Sequence, residues 1–302
     1  MSDKQPIKIP KTFEEQVDIL KSRGLQIQDE ARAINILSRV NYYRLSAYWL
    51  TYQVDNRFCS GASFECIYRL YEFDKCLRNL LLTCLETIEV AFRTQIAYTI
   101  AHTHGALGYM EADNFENPSY HADMMEEIEK QVGRSRELFV QHHREKYNSS
   151  LPIWAVVEIM SFGSLSRMYS NLNTSIGKEV AEVYYGLSYG YVKNWLHALS
   201  IFRNICAHYG RLYNKTLAFK PNLLRRDKKR KVKNDSVFAV LLVISRLIDD
   251  DQWHSTVTQL SSLIDSYSEV DIIYMGFPPN WQEILMAEVD EVEDEVASAR
   301  DA

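Results

Sequence analysis

The sequence has few glycines and prolines and no long apolar run. Its 302 residues include only 11 Gly and 7 Pro, too few for an architecture of short strands joined by turns. The most apolar segment, 237–248, contains Arg246 and is much shorter than the roughly 20 residues that a membrane span requires. We therefore expect a helical protein without a membrane span, in which this segment is a core helix.

The cysteines also lack the pattern of a disulfide framework. Cys59, Cys66, Cys76, Cys84 and Cys206 contain no Cys-x-x-Cys pair, and their number is odd. Such usage is typical of a reducing compartment. Because no apolar signal segment opens the sequence, we predict a cytoplasmic protein with free thiols.

Motifs for metals and nucleotides are missing as well. The neighbouring histidines His102 and His104, and His142 and His143, have no cysteine or carboxylate at ligand spacing. There is no His-Glu-x-x-His segment and no Gly-rich phosphate-binding loop. The sequence therefore predicts no metal site and no cofactor, and it gives no support for ATP or GTP hydrolysis.

Charge is distributed unevenly along the chain. The formal net charge is −6, yet segment 225–233, RRDKKRKVK, has seven cations in nine positions, and segment 288–295 is strongly acidic. This asymmetry predicts a positive patch on an acidic body. By default the basic segment is a solvated loop or helix face. It is also the best candidate for contacts with RNA phosphates, through Arg225, Arg226, Lys228, Lys229, Arg230, Lys231 and Lys233.

Apolar residues recur at helical spacing through most of the chain, which predicts an all-α fold. We expect an N-terminal helical extension over 1–62 and a helical domain over 63–302, with a basic insertion at 225–233 and an acidic C-terminal helix. The predicted helices cover 12–24, about 29–50, 64–102, 120–147, a stretch from 152 that turns near 163, 178–185, 192–209, 236–249, 253–266 and 281 onward. Segments 55–63 and 105–118 are predicted to be irregular, and 276–281 to be a turn.

One carboxylate interrupts the buried face of the long helix over 64–102. Asp74 falls on the apolar stripe between Leu70 and Leu77. Because an unpaired buried carboxylate is costly, Asp74 must have a partner or be neutralised.

The most informative segment is 195–214, WLHALSIFRNICAHYGRLYN. One apolar stripe of the predicted helix consists of Trp195, Leu199, Phe202, Cys206 and Tyr209. On a second stripe, Asn204 and His208 are one turn apart, and the long side chain of Arg203 can reach the same side. Gly210 is predicted to end the helix, which puts His208 in its last turn.

These residue types suit the cleavage of RNA through its own 2′-hydroxyl. Histidine titrates near neutrality and can accept or donate the proton, while arginine is a permanent cation for the extra phosphate charge. Asn204 can orient the imidazole or a phosphate oxygen. Spacing alone favours this interpretation weakly, since an Arg and a His five residues apart often occur by chance.

Several blocks of the chain together resemble the Abi-like family of abortive-infection proteins (AbiD and AbiF type), within the HEPN ribonuclease superfamily. RNICAHYGRLYN resembles the HEPN signature of Arg, a polar residue, several residues and then His. The other similar blocks, in the same order as in the family, are FEEQVDILKSRGL, NYYRLSAYW, YEFDKCLRNLLLTCLETIEVAFRTQIAY and LPIWAVVEIMSFGSLSRMYSNL. The resemblance covers roughly residues 12 to 215.

The resemblance implies a HEPN-like helical bundle in which Arg203, Asn204 and His208 occupy the signature positions. It implies a metal-independent endoribonuclease that acts as an antiphage or toxin effector and is restrained by a cognate small RNA. HEPN nucleases typically form homodimers in which two signatures meet, and this chain has one signature.

Further residues are candidates for supporting this site. Glu86, Glu89 and Arg93 are either an exposed charge cluster or a strip that faces the signature helix. Just after the signature, Arg211, Tyr213 and Asn214 either bind RNA or anchor the end of the helix.

Two other functions stay open at this level. One is a non-catalytic RNA-binding module that docks a structured small RNA, although the intact Arg203, Asn204 and His208 argue against it. The other is a toxin modified by a partner transferase, with Tyr209 or Tyr213 as the acceptor.

Overall fold

The structure, a computed structural model, describes residues 9–147 and 150–287. Over these residues the regular secondary structure is helical apart from one small hairpin and isolated bridges, so the predicted all-α class is confirmed. No helix in the described ranges is long and apolar enough to cross a bilayer. The acidic segment from 288 onward, predicted to be a helix, lies outside the described residues.

The N-terminal part contains three helices: α1 (Phe13–Ser22), α2 (Glu30–Arg39) and α3 (Tyr42–Ser46). Thr12 and Glu15 form the predicted capping box at the start of α1. The single helix predicted over 29–50 is wrong, because the chain breaks at Val40 and Asn41. The Asn41 side chain accepts a 2.7 Å hydrogen bond from the N–H of Tyr43 and starts a new helix.

The segment predicted to be an irregular linker begins as a β-hairpin. Strands β1 (Gln53–Val54) and β2 (Arg57–Phe58) pair antiparallel. The two turn residues between them, Asp55 and Asn56, have φ of 48° and 62°. Asp and Asn tolerate this left-handed conformation, which matches the twist of a tight hairpin.

The long helix α4 (Phe64–His104) is the centre of the fold. Its apolar stripe is buried as predicted, and it contacts helices from both the N-terminal and the C-terminal parts of the chain. A single hydrophobic cluster runs from Val17 in α1 to Leu285 near the end of the described chain. The core therefore joins the N-terminal helices to the rest of the protein.

The next part of the chain forms four helices: α5 (Pro118–Arg134), α6 (Leu138–Lys146), α7 (Ile153–Ile159) and α8 (Phe162–Asn171). One helix was predicted over 120–147, but Ser135 interrupts it, and its hydroxyl accepts a hydrogen bond from the N–H of Glu137. The predicted loop at 105–118 contains two short 3₁₀ turns, 108–110 and 112–114.

The remaining helices are α9 (Thr174–Tyr185), α10 (Tyr189–Ala207), α11 (Arg225–Lys229), α12 (Val237–Ile244), α13 (Asp250–Ser266) and α14 (Trp281–Met286). Every side chain of α12 is buried, as expected for a core helix. A 3₁₀ turn at Ile272–Met275 precedes the predicted turn at 276–281. Helix α10, which carries the signature, packs against α4, α8 and α9.

Candidate active site

Helix α10 is fixed by its apolar stripe. Trp195, Leu199, Phe202 and Cys206 are buried, as the spacing predicted. Tyr209 was placed on the same stripe, but it is 70% exposed. The helix ends before Tyr209, so the helical periodicity no longer sets the direction of its side chain.

Arg203 is tethered to the central helix. Its side chain is 36% exposed, and its Nη2 lies 3.4 Å from Oε2 of Glu89. Its Nη1 donates a hydrogen bond of 3.2 Å to Oδ1 of Asn204. The guanidinium thus has one end directed to a carboxylate of α4 and still retains contact with solvent.

Glu89 is held in turn by a second arginine. The side chains of Glu89 and Arg93 are each 11% exposed and form an ion pair of 2.5 Å. Arg93 also donates hydrogen bonds to the carbonyl oxygen of Val157 and, at 2.7 Å, to that of Met160. The structure therefore brings two of the three proposed supporting residues to Arg203. The third, Glu86, is exposed, and within the described residues it forms no hydrogen bond or ion pair with the signature.

His208 is the residue that caps the C-terminus of α10, and it is exposed together with Asn204. The N–H of Tyr209 bonds to the carbonyl oxygen of Cys206, and that of Gly210 to the carbonyl oxygen of Ile205. These two bonds form a Schellman motif. The left-handed residue is Tyr209, with φ of 59°, and Gly210 follows it.

Gly210 is nevertheless required for a different reason. A Cβ at this position would lie 2.8 Å from Cγ2 and 2.9 Å from the carbonyl oxygen of Ile205. Such contacts are too short, so the turn after His208 closes only over a glycine.

A buried polar cluster holds the chain that leaves this turn. Asp74 accepts hydrogen bonds from the Tyr48 hydroxyl, from Arg78 and from the N–H groups of Leu212 and Tyr213. Burial raises the pKa of Asp74, and these four donors oppose that effect. Asp74 thus has the partners that its burial requires.

Arginines from other elements bind the same turn. Arg78 donates a hydrogen bond of 3.3 Å to the carbonyl oxygen of Gly210, and Arg44 of α3 donates one of 2.7 Å to that of Tyr209. Sequence reasoning did not connect Arg44, Tyr48 or Arg78 to the signature. The sequence contained one indication of the buried cluster, because Arg78 lies one helical turn after Asp74.

The residues just after the signature mainly contact the rest of the protein. Arg211 donates a hydrogen bond of 2.7 Å to the carbonyl oxygen of Ala47. Tyr213, proposed to bind RNA or accept a modification, is only 2% exposed, and burial raises its pKa. Its ring is therefore closed to base stacking in this structure. Asn214, with φ of 47°, lines a surface groove.

The basic segment folds as α11 followed by a turn. Asp227 is buried and lies 3.3 Å from Arg246, which fastens the segment to the end of α12. Arg226 is half-buried, whereas the other six cations predicted to bind RNA are exposed, namely Arg225, Lys228, Lys229, Arg230, Lys231 and Lys233.

The site combines an exposed imidazole, a tethered guanidinium and an exposed amide on one helix end. Such groups can bind a phosphate and exchange a proton with it. In the described ranges, no three His, Cys, Asp or Glu side chains are grouped to hold a metal ion.

A model of the family described as Abi-like protein matches residues 35–214. This is more than half of the chain. The chain belongs to the Abi-like protein family. The matched range of this Abi-like protein includes α3, the Glu89–Arg93 pair and the whole signature, and it ends before the basic segment. Comparisons with curated proteins and with solved structures found no match.

Proposed function

We propose that this Abi-like protein is a metal-independent endoribonuclease of the HEPN kind. The observation that carries the proposal is the tether of Arg203 to the buried Glu89, on the same helix end as the exposed His208. A permanent cation and an imidazole on the same helix end suit phosphate chemistry. Family membership suggests a role in abortive infection, so we propose that the nuclease acts as an antiphage or toxin effector.

The proposed reaction uses the 2′-hydroxyl of RNA as the nucleophile. That oxygen attacks the adjacent phosphorus, and the bond to the 5′-oxygen of the next nucleotide breaks. The products carry a 2′,3′-cyclic phosphate and a 5′-hydroxyl, so no water or metal enters this step. His208 transfers the proton, Arg203 stabilises the added negative charge on phosphorus and Asn204 orients the reacting groups.

We also propose that the active form is a homodimer. A single imidazole cannot both remove a proton from the 2′-oxygen and give one to the leaving oxygen at the same moment, whereas two signatures at a two-fold axis supply both. Large apolar side chains support an interface near the site. Val90, beside Glu89, and Trp154 on α7 are each more than half exposed.

Restraint by a cognate small RNA in the cytoplasm completes the proposal. The exposed cations after the signature support RNA binding, because neutralising phosphates supplies most sequence-independent affinity for nucleic acid. A nuclease acting on cellular RNA requires such a restraint until infection begins.

The test is RNA cleavage by the full chain, purified free of nucleic acid and assayed in excess EDTA. We expect wild type to cleave a labelled mixed-sequence RNA and His208→Ala and Arg203→Ala to lose at least about 100-fold in rate. His254→Ala, which removes an exposed histidine of α13, is the matched control and should cleave normally. A strict requirement for added metal, or full activity of His208→Ala, would refute the nuclease.

The same preparation tests the second function, a non-catalytic RNA-binding module. That function is favoured if the protein binds a structured small RNA tightly but produces no cleavage in either the free or the bound state. The basic segment is the observation that supports this alternative.

A further inference from the structure

A groove lies where the basic segment meets the turn before α14. Its volume is about 820 Å³. We call it the basic groove, and six of the residues that line it carry the argument: Lys215, Arg230, Lys231, Lys233, Ile273 and Tyr274. It therefore combines cations with an aromatic and an aliphatic side chain from a second segment. No function was predicted from the sequence for that second segment.

The charge of the basic groove is strongly positive. Within the described ranges, Lys215, Lys231 and Lys233 form no ion pair with a carboxylate. Asp235 is the one acidic residue in the described lining, and its carboxylate lies 3.0 Å from Nζ of Lys220, which lies outside the lining. An anion entering the groove thus meets several cations whose charge is not already offset.

The aromatic side chain in the groove rests on the buried cluster of the candidate active site. Tyr274 is 44% exposed, and its ring centroid lies 5.6 Å from that of Tyr213. Asp74 holds the backbone of Tyr213, as described above. The ring of Tyr274 therefore packs against the buried ring of Tyr213, while part of it stays open to a ligand.

A glycine fixes the position of this second segment. Gly276 has φ of 86°, and a Cβ there would lie 2.4 Å from Cβ of Ser236. The turn thus packs directly against Ser236, three residues after the basic segment. The close contact of Gly276 with Ser236 therefore fixes the two sides of the groove relative to each other.

We propose that the basic groove binds single-stranded RNA next to the candidate active site, an inference that rests on the proposed function. Cations that track a backbone, together with an exposed ring on which a base stacks, are the features that bind unpaired nucleic acid. Duplex RNA hides its base faces, and a chain of acidic residues alone, such as polyglutamate, offers no ring to stack on Tyr274. Asn214 in the groove lies six residues after His208, a reach of at most about 21 Å.

The test measures binding in the His208→Ala protein, so that cleavage does not interfere. The probe is a fluorescein-labelled, unstructured RNA of twelve nucleotides, with fluorescence anisotropy read at several salt concentrations. The double variant Lys231→Gln with Lys233→Gln should lower the slope of log affinity against log salt by about 1.4, since each phosphate contact on a single strand contributes about 0.7. The control, Lys146→Gln with Lys178→Gln, changes the net charge equally at exposed sites elsewhere and should leave the slope unchanged.

A second pair of variants tests stacking. We expect Tyr274→Ala to weaken binding about tenfold and Tyr274→Phe to bind as wild type does, because the ring and not the hydroxyl carries the contact. The same sequence as a duplex should bind more weakly than the single strand. These results support the inference.

The inference is overturned if the groove double variant behaves like its control, if Tyr274→Ala binds normally, or if polyglutamate competes as well as RNA. Its failure is separable from that of the proposed function. A chain that binds RNA in the groove but never cleaves it refutes the nuclease alone, and one that cleaves without using the groove refutes the groove alone.

Discussion

Glu89 of the central helix lies between two arginines, one buried and one at the surface. Its Oε2 is 3.4 Å from Nη2 of Arg203, and its Oε1 is 2.5 Å from Nη2 of Arg93. The surface guanidinium is thereby tied to a carboxylate that is itself fixed in the core. An ion pair of exposed side chains would hold Arg203 much less firmly, because such pairs contribute little and lose side-chain entropy.

Glu89→Gln is expected to reduce both stability and activity. Removing the charge leaves Arg93 buried without a carboxylate, which should lower the free energy of unfolding by about 3 kcal/mol. Loss of the tether should lower kcat for RNA cleavage about 100-fold with a smaller change in KM, since the misplaced cation acts mainly in the transition state. Urea denaturation and steady-state kinetics measure the two effects.

Glu86→Gln is the matched control, one turn earlier on the same helix and exposed. It should be normal in both measurements. A Glu89→Gln protein with wild-type kcat would show that the tether does not position Arg203.

Asp74→Asn is expected to be strongly destabilising. The variant keeps the shape of the side chain but leaves Arg78 buried without its carboxylate, at a cost of about 3–5 kcal/mol. It also weakens the hold on the backbone at Leu212 and Tyr213. The measurement is urea denaturation beside Asp265→Asn, an exposed control on α13. Equal midpoints for the two variants would contradict the role given to the buried cluster.

Tyr209→Gly is expected to stabilise the fold. Tyr209 occupies the left-handed position of the turn, which costs a non-glycine residue about 1 kcal/mol, and its exposed ring contributes little packing. We expect the free energy of unfolding to rise by about 0.5–1 kcal/mol. Tyr209→Ala keeps the backbone strain and removes the ring, so it should show no gain. A loss of stability in the glycine variant alone would mean that the turn is not strained.

Cys206 is expected to be inert although it lies two residues before His208. Burial raises the pKa of its thiol to about 12, so at pH 8 only about one molecule in 10⁴ carries the reactive thiolate. Iodoacetamide should modify the exposed Cys59 and leave Cys206 unmodified, as read by peptide mass spectrometry. Rapid alkylation of Cys206 in the folded protein would contradict this.

Much of the site could be predicted from local spacing. The periodicity of 195–206 placed the buried face of α10, and the position of Asp74 on an apolar stripe required that it find partners. Both predictions depend only on the repeat of a helix and on the cost of burying a charge.

The rest depends on contacts that sequence periodicity does not contain. The partners of Asp74 include backbone N–H groups 138 and 139 residues away, which only the tertiary fold brings to it. Tyr209 is exposed because the helix ends at Ala207, two residues earlier than predicted, and Tyr209 itself adopts the left-handed conformation. The helix breaks at Val40–Asn41 and at Ser135 come from side-chain bonds to the backbone that compete with the helix.

The most direct test of the account replaces a single hydroxyl in the substrate. A short RNA that the protein cleaves at one linkage in EDTA is compared with the same RNA carrying 2′-deoxyribose on the 5′ side of that linkage. We predict cleavage of the first into a 2′,3′-cyclic phosphate and a 5′-hydroxyl, and none of the second at that linkage. Cleavage of the deoxy substrate at the same site, or products with a 5′-phosphate, would contradict the role assigned to Arg203 and His208.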